Sequence, residues 1–134
     1  MFDREEFERW ISQAEYTLKS AENDLKSGFY SWACFKAQQA AEYAVKAILY
    51  GMGIMAYGHS IKKLLDVLSQ NIPVPKELFD NARLLDRHYI PPRYPDAYIE
   101  GPPYEYYGER DAKEAITSAN MIIEFIKGIA NERG

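Results

Sequence analysis

The side chains best suited to chemistry in this sequence are concentrated in one short stretch. It contains Arg83, Arg87, His88 and Arg93, and no other arginine occurs from residue 10 to residue 109. A guanidinium can hold a phosphate through two parallel hydrogen bonds, and an imidazole can take up or release a proton near neutral pH. The stretch therefore predicts a site for an anionic ligand.

Arg83 and His88 have the residue types needed to cleave RNA without a metal ion. The imidazole would take a proton from a ribose 2′-hydroxyl, while the guanidinium holds the phosphate as negative charge builds on it. On an ideal helix, five steps of about 100° place the two side chains about 140° apart, so they share no face. Their cooperation therefore requires the helix to unwind near His88, or requires two chains to pair.

Tyrosines accompany the arginines, and aromatic rings beside a phosphate clamp suit the stacking of a base. The predicted ligand-binding residues are Arg83, Arg87, His88, Tyr89, Arg93 and Tyr94. A structural interpretation stays open beside this one. In it, most tyrosines cover the hydrophobic core with their hydroxyls in water, while Asp86 and Asp96 pair with the arginines.

Composition limits the other classes of function. A net charge of -4 argues against a surface that binds nucleic acid everywhere, so any contact with it must be local. Cys34 is the only cysteine, which we expect in the core, and no glycine-rich phosphate loop or zinc signature is present. We therefore predict neither a metal nor a cofactor. His59 directly precedes a predicted helix and is interpreted as a structural side chain.

The hydrophobic spacing that must position these residues is helical throughout. We predict helices over about 7–27, 30–50, 61–70, 75–89 and 109–131. The second helix is rich in alanine and apolar over more than one face, so we place it at the centre of an all-α bundle. We expect one domain, 1–134, that stays in the cytoplasm, because no apolar stretch is long enough for a membrane span.

The segment Ile90 to Gly108 is predicted to be irregular. It carries five of the seven prolines and five of the eleven tyrosines. A structureless loop of this length is uncommon in a compact domain unless it has a function or packs on itself. This loop is therefore the first place to look for a site.

Three segments resemble the HEPN family of small prokaryotic helical domains. They are SGFYSWACFKAQQAAEYAVKAILYGMG, GHSIKKLL and LLDRHYIPPRYPDAY, and the resemblance extends from Phe7 to Ile129. It implies an up-and-down bundle of four main helices plus a shorter helix, often as a dimer. A homodimer is also suggested by the second helix, whose apolar surface exceeds what one neighbour would need.

The resemblance also implies partners and chemistry. HEPN domains are commonly paired with a minimal nucleotidyltransferase as toxin and antitoxin, and several branches are ribonucleases with an arginine and a histidine four to six residues apart. Arg83 and His88 match that spacing, although Leu84 stands where those branches usually have a polar residue. In related pairs the nucleotidyltransferase modifies a tyrosine near the motif, and Tyr89 is the closest candidate.

Three hypotheses follow for function. The first is a nucleotide- or RNA-binding component of a nucleotidyltransferase-linked system, acting at a local site. The second is a metal-independent ribonuclease toxin that uses Arg83 and His88. The third is a structural partner subunit without catalysis.

Overall fold

The computed structural model describes residues 1–133, and these form five α-helices and no β-strand. The helices are α1 (Arg4–Ser27), α2 (Tyr30–Gly51), α3 (Ile61–Ser69), α4 (Lys76–Asp86) and α5 (Glu109–Asn131). The all-α bundle predicted from hydrophobic spacing is confirmed. No helix in residues 1–133 is long and apolar enough to cross a membrane.

Helix α2 lies at the centre and contacts each of the four other helices. Its inward alanines, including Ala40 and Ala44, have no solvent exposure, which lets the neighbouring backbones approach closely. The wide apolar surface of α2 is therefore covered within one chain and no longer argues for a second one. The homodimer stays a prediction.

Helix α4 ends at Asp86, three residues before the predicted end near Tyr89. The backbone N–H of His88 bonds to the carbonyl of Leu85 at 2.8 Å, which closes a turn instead of continuing the helix. The helix thus ends before His88, as cooperation between Arg83 and His88 would require.

The Asp86 side chain joins α4 to the start of α3. Its carboxylate accepts hydrogen bonds from the backbone N–H of Ile61 (2.7 Å) and of Lys62 (3.1 Å), and from the Ser60 hydroxyl (3.0 Å). The first turn of a helix has N–H groups without an intrahelical acceptor, and a carboxylate satisfies them well. The prediction that Asp86 pairs with an arginine is therefore wrong.

The segment 90–108 is more ordered than predicted. It contains two short 3₁₀ turns, Pro95–Ala97 and Pro103–Tyr106. Tyr98 and Tyr106 stack with ring centres 4.0 Å apart, and the Tyr98 hydroxyl donates to that of Tyr107 at 2.9 Å. The loop therefore packs on itself, which accounts for part of its tyrosine content.

Candidate functional site

The guanidinium of Arg93 lies among three aromatic rings. Its central carbon is 4.1 Å from the ring centre of Phe35, 4.8 Å from that of Tyr89 and 5.0 Å from that of Tyr94. Its Nε donates to the backbone carbonyl of Tyr89 at 2.8 Å. We call these four residues the Arg93 cluster. Tyr89, Arg93 and Tyr94 follow the end of α4, and α2 supplies Phe35.

These contacts hold Arg93 in place and leave its binding groups available. Arg93 uses its Nε for the hydrogen bond to the chain. Within residues 1–133, no carboxylate forms an ion pair with the guanidinium. The two terminal nitrogens are the pair that binds a phosphate in a fork. Because the rings and the Nε bond fix the side chain beforehand, little further conformational entropy is lost when a ligand binds.

Exposed aromatic rings continue from the Arg93 cluster along the start of α2. Trp32 packs edge-on against Phe35, with ring centres 6.3 Å apart, and 46% of it is exposed. Trp32 also borders an open cavity of about 380 Å³, whose other lining includes Phe29, Tyr30 and Tyr104. An aromatic surface thus lies beside a guanidinium that is free to bind an anion.

A buried polar network lies on α2 behind this surface. Glu42 is only 2% exposed, and its carboxylate accepts hydrogen bonds from Lys46 Nζ (3.0 Å), Gln38 Nε2 (3.2 Å) and Gln39 Nε2 (3.4 Å). A buried carboxylate is tolerated only when it is paired and hydrogen-bonded in this way. Lys46 offsets its charge.

His59 connects that network to the Arg93 cluster. Its Nδ1 lies 3.3 and 3.2 Å from the two carboxylate oxygens of Glu42. Its ring stacks on Tyr89, with centres 4.5 Å apart and planes 17° from parallel. The interpretation of His59 as a side chain bonded to a neighbour agrees with this geometry, but its place beside Tyr89 was not predicted.

The structure does not bring Arg83 and His88 into contact within residues 1–133. Arg83 lies on the exposed face of α4 and pairs loosely with Asp80 at 3.4 Å. His88 turns inward and packs edge-on against Tyr107, with ring centres 5.7 Å apart. Any joint action of Arg83 and His88 would need a rearrangement or a second chain.

The environment of His88 favours its neutral form. Burial is the largest cause and lowers the pKa of His88, an effect that the nearby Asp111 opposes. Its Nδ1 is buried and has no hydrogen-bond partner in the described chain. A neutral imidazole with an unused nitrogen is a potential base, but here the nitrogen is hidden from solvent.

The other predicted site residues occupy different surroundings. Arg87 is exposed after the end of α4, and Tyr94 is 47% exposed at the edge of the Arg93 cluster. Among residues 1–133, no three side chains of histidine, cysteine, aspartate or glutamate lie close enough to share a metal ion. Burial raises the pKa of Cys34 to about 12, so its thiol is an unreactive core group.

Sequence reasoning missed Phe35, Trp32 and Glu42. For Glu42 a signal was present, because Gln38, Glu42 and Lys46 recur at four-residue spacing on a helix that is apolar on most of its surface. For Phe35 and Trp32 nothing in the local sequence shows that the loop residue Arg93 packs against them.

Comparison with known proteins gives one consistent result. A family model described as HEPN domain matches residues 7–129. A Methanocaldococcus jannaschii protein whose name reads "Putative toxin MJ1304" is 30% identical over 133 residues, which cover 92% of this chain and 88% of that protein.

Solved structures are similar along nearly the whole chain. One from Thermus thermophilus has a TM-score of 0.89 at 43% identity, covering 91% of this chain and 96% of its own. A structure described as an archaeal HEPN homologue has a TM-score of 0.78 at 47% identity, with 91% and 95% covered. An HEPN domain protein from Thermotoga maritima has a TM-score of 0.76 at 37% identity, with 92% and 98% covered.

Proposed function

Since the chain belongs to the HEPN domain family, we propose that it is the nucleotide- or RNA-binding component of a toxin–antitoxin type system. The relative named as a toxin supports the general role. Fold membership alone does not define what is bound, so the specific proposal rests on the site.

The observation that carries the proposal is the guanidinium of Arg93, which is fixed among aromatic rings and has no ion pair within residues 1–133. Phosphate is the anion that suits its planar fork, and a base is the natural companion for the exposed rings. We place the phosphate on Arg93, with Arg87 adding local positive charge. The base would lie on the exposed aromatic surface that leads from Tyr94 or Phe35 toward Trp32.

The test compares Arg93→Ala with Arg110→Ala. Arg110 is 91% exposed on α5, so its loss changes the net charge equally without touching the Arg93 cluster. We expect Arg93→Ala to weaken AMP or short-RNA binding by about 1.5 to 3 kcal/mol, measured by calorimetry, since a charged hydrogen bond is lost. Arg110→Ala should bind as the unmutated protein does.

Stability must be measured on the same variants. Arg93→Ala also removes the bond to the Tyr89 carbonyl and the ring contacts, so its melting temperature should fall. Two further variants test the contribution of charge separately. Arg93→Lys keeps the positive charge, and Arg87→Ala removes a charge that has no ion pair within residues 1–133. Arg87→Ala should weaken binding at a nearly unchanged melting temperature. If the unmutated protein binds neither AMP nor RNA, this function is refuted. If Arg93→Ala binds normally, the Arg93 cluster is not the binding site.

The partner in this proposal is a minimal nucleotidyltransferase, as the family resemblance implies. A neighbouring nucleotidyltransferase gene and co-purification of the two products would support it, whereas their absence would favour the structural-subunit hypothesis. Tyr89 is the tyrosine to examine by mass spectrometry after co-expression. Its ring packs against both His59 and Arg93 in the structure.

A ribonuclease is the second candidate. The observation that favours it is the Nδ1 of His88, which has no hydrogen-bond partner among residues 1–133. Because one chain keeps Arg83 away from His88, activity would require a dimer or a rearrangement. RNA cleavage lost in His88→Ala, with binding retained, would identify a base. Absence of cleavage by the unmutated protein, alone or freed from its partner, would remove this candidate.

A further inference from the structure

A histidine held by a buried carboxylate lies beside the Arg93 cluster. Glu42 contacts Nδ1 of His59 through both of its oxygens, at 3.3 and 3.2 Å, yet the His59 side chain is 55% exposed. An ionised carboxylate can only accept, so the proton must be on Nδ1 for this bond to form. The outer edge of the ring, which carries Nε2, is then the part that solvent or a ligand meets.

Three contacts hold His59 in place. Glu42 holds Nδ1, Tyr89 covers one face of the ring, and Gln38 Nε2 donates to the His59 backbone carbonyl at 3.0 Å. Gln38 itself has no solvent exposure and also donates to Glu42. Such support is more than an exposed side chain needs in order to cap a loop, and it resembles the way carboxylates orient functional imidazoles.

Local charge favours an anion at this position. The charge of Glu42 is offset by Lys46, whose Nζ lies 3.0 Å from Oε2. The carboxylate therefore presents little net negative charge to a ligand that approaches the outer edge of His59. Arg93 contributes a further positive charge close by, since its guanidinium and the His59 ring both pack on Tyr89.

We propose that His59 is a second ligand-binding residue of this surface, with Glu42 as its positioning residue. In the imidazolium form of the ring both nitrogens donate, so Nδ1 donates to Glu42 while the outward Nε2 donates to a phosphate group of the bound nucleotide or RNA. The inference rests on the function proposed above. It adds a phosphate contact from the α2–α3 connection to the one from Arg93, and both side chains pack on the ring of Tyr89.

The first measurement follows the histidine side chain by ¹H–¹⁵N NMR during titration with AMP and with a dinucleotide. The chain has two histidines, so comparison with His59→Ala assigns the signals. We expect the Nε2 resonance of His59 to shift and saturate with either ligand, more strongly than that of Nδ1. An unchanged Nε2 resonance overturns the inference.

Binding of the variants tests the same contact. His59→Ala should bind AMP about ten- to a hundredfold more weakly, as expected for one charged hydrogen bond. Lys63→Ala removes a positive charge from an exposed position of α3, four residues after His59, and should bind normally. If His59 only anchors the loop, His59→Ala lowers the melting temperature at unchanged affinity, and the inference is wrong.

The role of Glu42 needs a variant that folds. Glu42→Gln alone would leave the Lys46 ammonium buried without its partner, so Glu42→Gln is combined with Lys46→Met. We expect this pair to weaken AMP binding about tenfold and to change the Nδ1 resonance of His59. A folded double variant with the original Nδ1 resonance and affinity would contradict the positioning role.

These outcomes separate the inference from the function on which it rests. If AMP binds and Arg93→Ala weakens it, while His59→Ala does not, the Arg93 surface stands and His59 is excluded from it. If Arg93→Ala has no effect but the His59 Nε2 resonance shifts, the Arg93 proposal fails and the imidazole contact stands by itself.

Discussion

Replacement of Asp86 by alanine should reveal how strongly the end of α4 holds the start of α3. The carboxylate accepts three hydrogen bonds, from the N–H groups of Ile61 and Lys62 and from Ser60. The Ser60 hydroxyl separately accepts from the Lys63 N–H at 3.2 Å. Two side chains therefore satisfy the first three N–H groups of α3.

The expected cost follows from those bonds. A hydrogen bond to a charged group contributes about 1.5 to 3 kcal/mol, but Asp86 is only partly buried and water would replace some of what is lost. Three coupled bonds with partial replacement give a loss of about 2 to 4 kcal/mol for Asp86→Ala. Asp86→Asn keeps an acceptor oxygen and should lose about half as much.

Urea denaturation followed by circular dichroism measures this loss. Asp80→Ala is the matched control, because Asp80 is an exposed carboxylate on the same helix whose only ion pair in the described residues 1–133 is the surface pair with Arg83. That control should change the free energy of unfolding by less than about 0.5 kcal/mol. A loss below about 1 kcal/mol in Asp86→Ala would show that the α3–α4 link contributes little.

Three further predictions concern pH, the core and assembly. Burial lowers the pKa of His88 from its ordinary 6.5, so the unfolded chain takes up this proton at higher pH than the folded chain. Stability from this group is complete above about pH 6.5 and is lost as pH falls toward the folded pKa; His88→Gln should flatten urea midpoints between about pH 7 and pH 5. Ala40→Leu or Ala44→Leu should cost about 1 to 3 kcal/mol in urea denaturation, and little change at both sites would contradict the central position of α2. The predicted homodimer should have twice the chain mass in light scattering at micromolar concentration, and a monomer would remove the shared-site version of the ribonuclease.

The fold could be predicted largely from sequence because each helix carries its own signals. Apolar spacing marks the buried faces, and Gly28 ends α1 with a left-handed φ of 83°. The end of α4 was predicted too late because the prolines after Ile90 mark only the last residue that a helix could reach. Helix α4 ends at Asp86, whose carboxylate is hydrogen-bonded to the start of α3. This is a tertiary contact, which the local sequence does not reveal.

The site could be predicted only in part, for a related reason. Arg93, Tyr89 and Tyr94 are neighbours in sequence, so their composition alone indicated a ligand surface. Phe35 and His59 reach that surface from 58 and 34 residues before Arg93. Helical periodicity shows which face of α2 is buried. It does not show which loop packs against the partly exposed residues of α2, such as Phe35.

The distribution of carboxylates explains how an acidic protein can offer a site to an anion. At a net charge of -4, most of the surface repels phosphate. Two carboxylates of this region are occupied elsewhere, because Asp86 is bound to the start of α3 and Glu42 is offset by Lys46. Within residues 1–133, no carboxylate therefore neutralises the Arg93 guanidinium. It lies among aromatic rings, where water screens its charge less than at an open surface. A new carboxylate within the cluster, Tyr94→Asp, should therefore weaken AMP binding in calorimetry more than Tyr94→Ala does, and equal affinities of the two variants would contradict this electrostatic account.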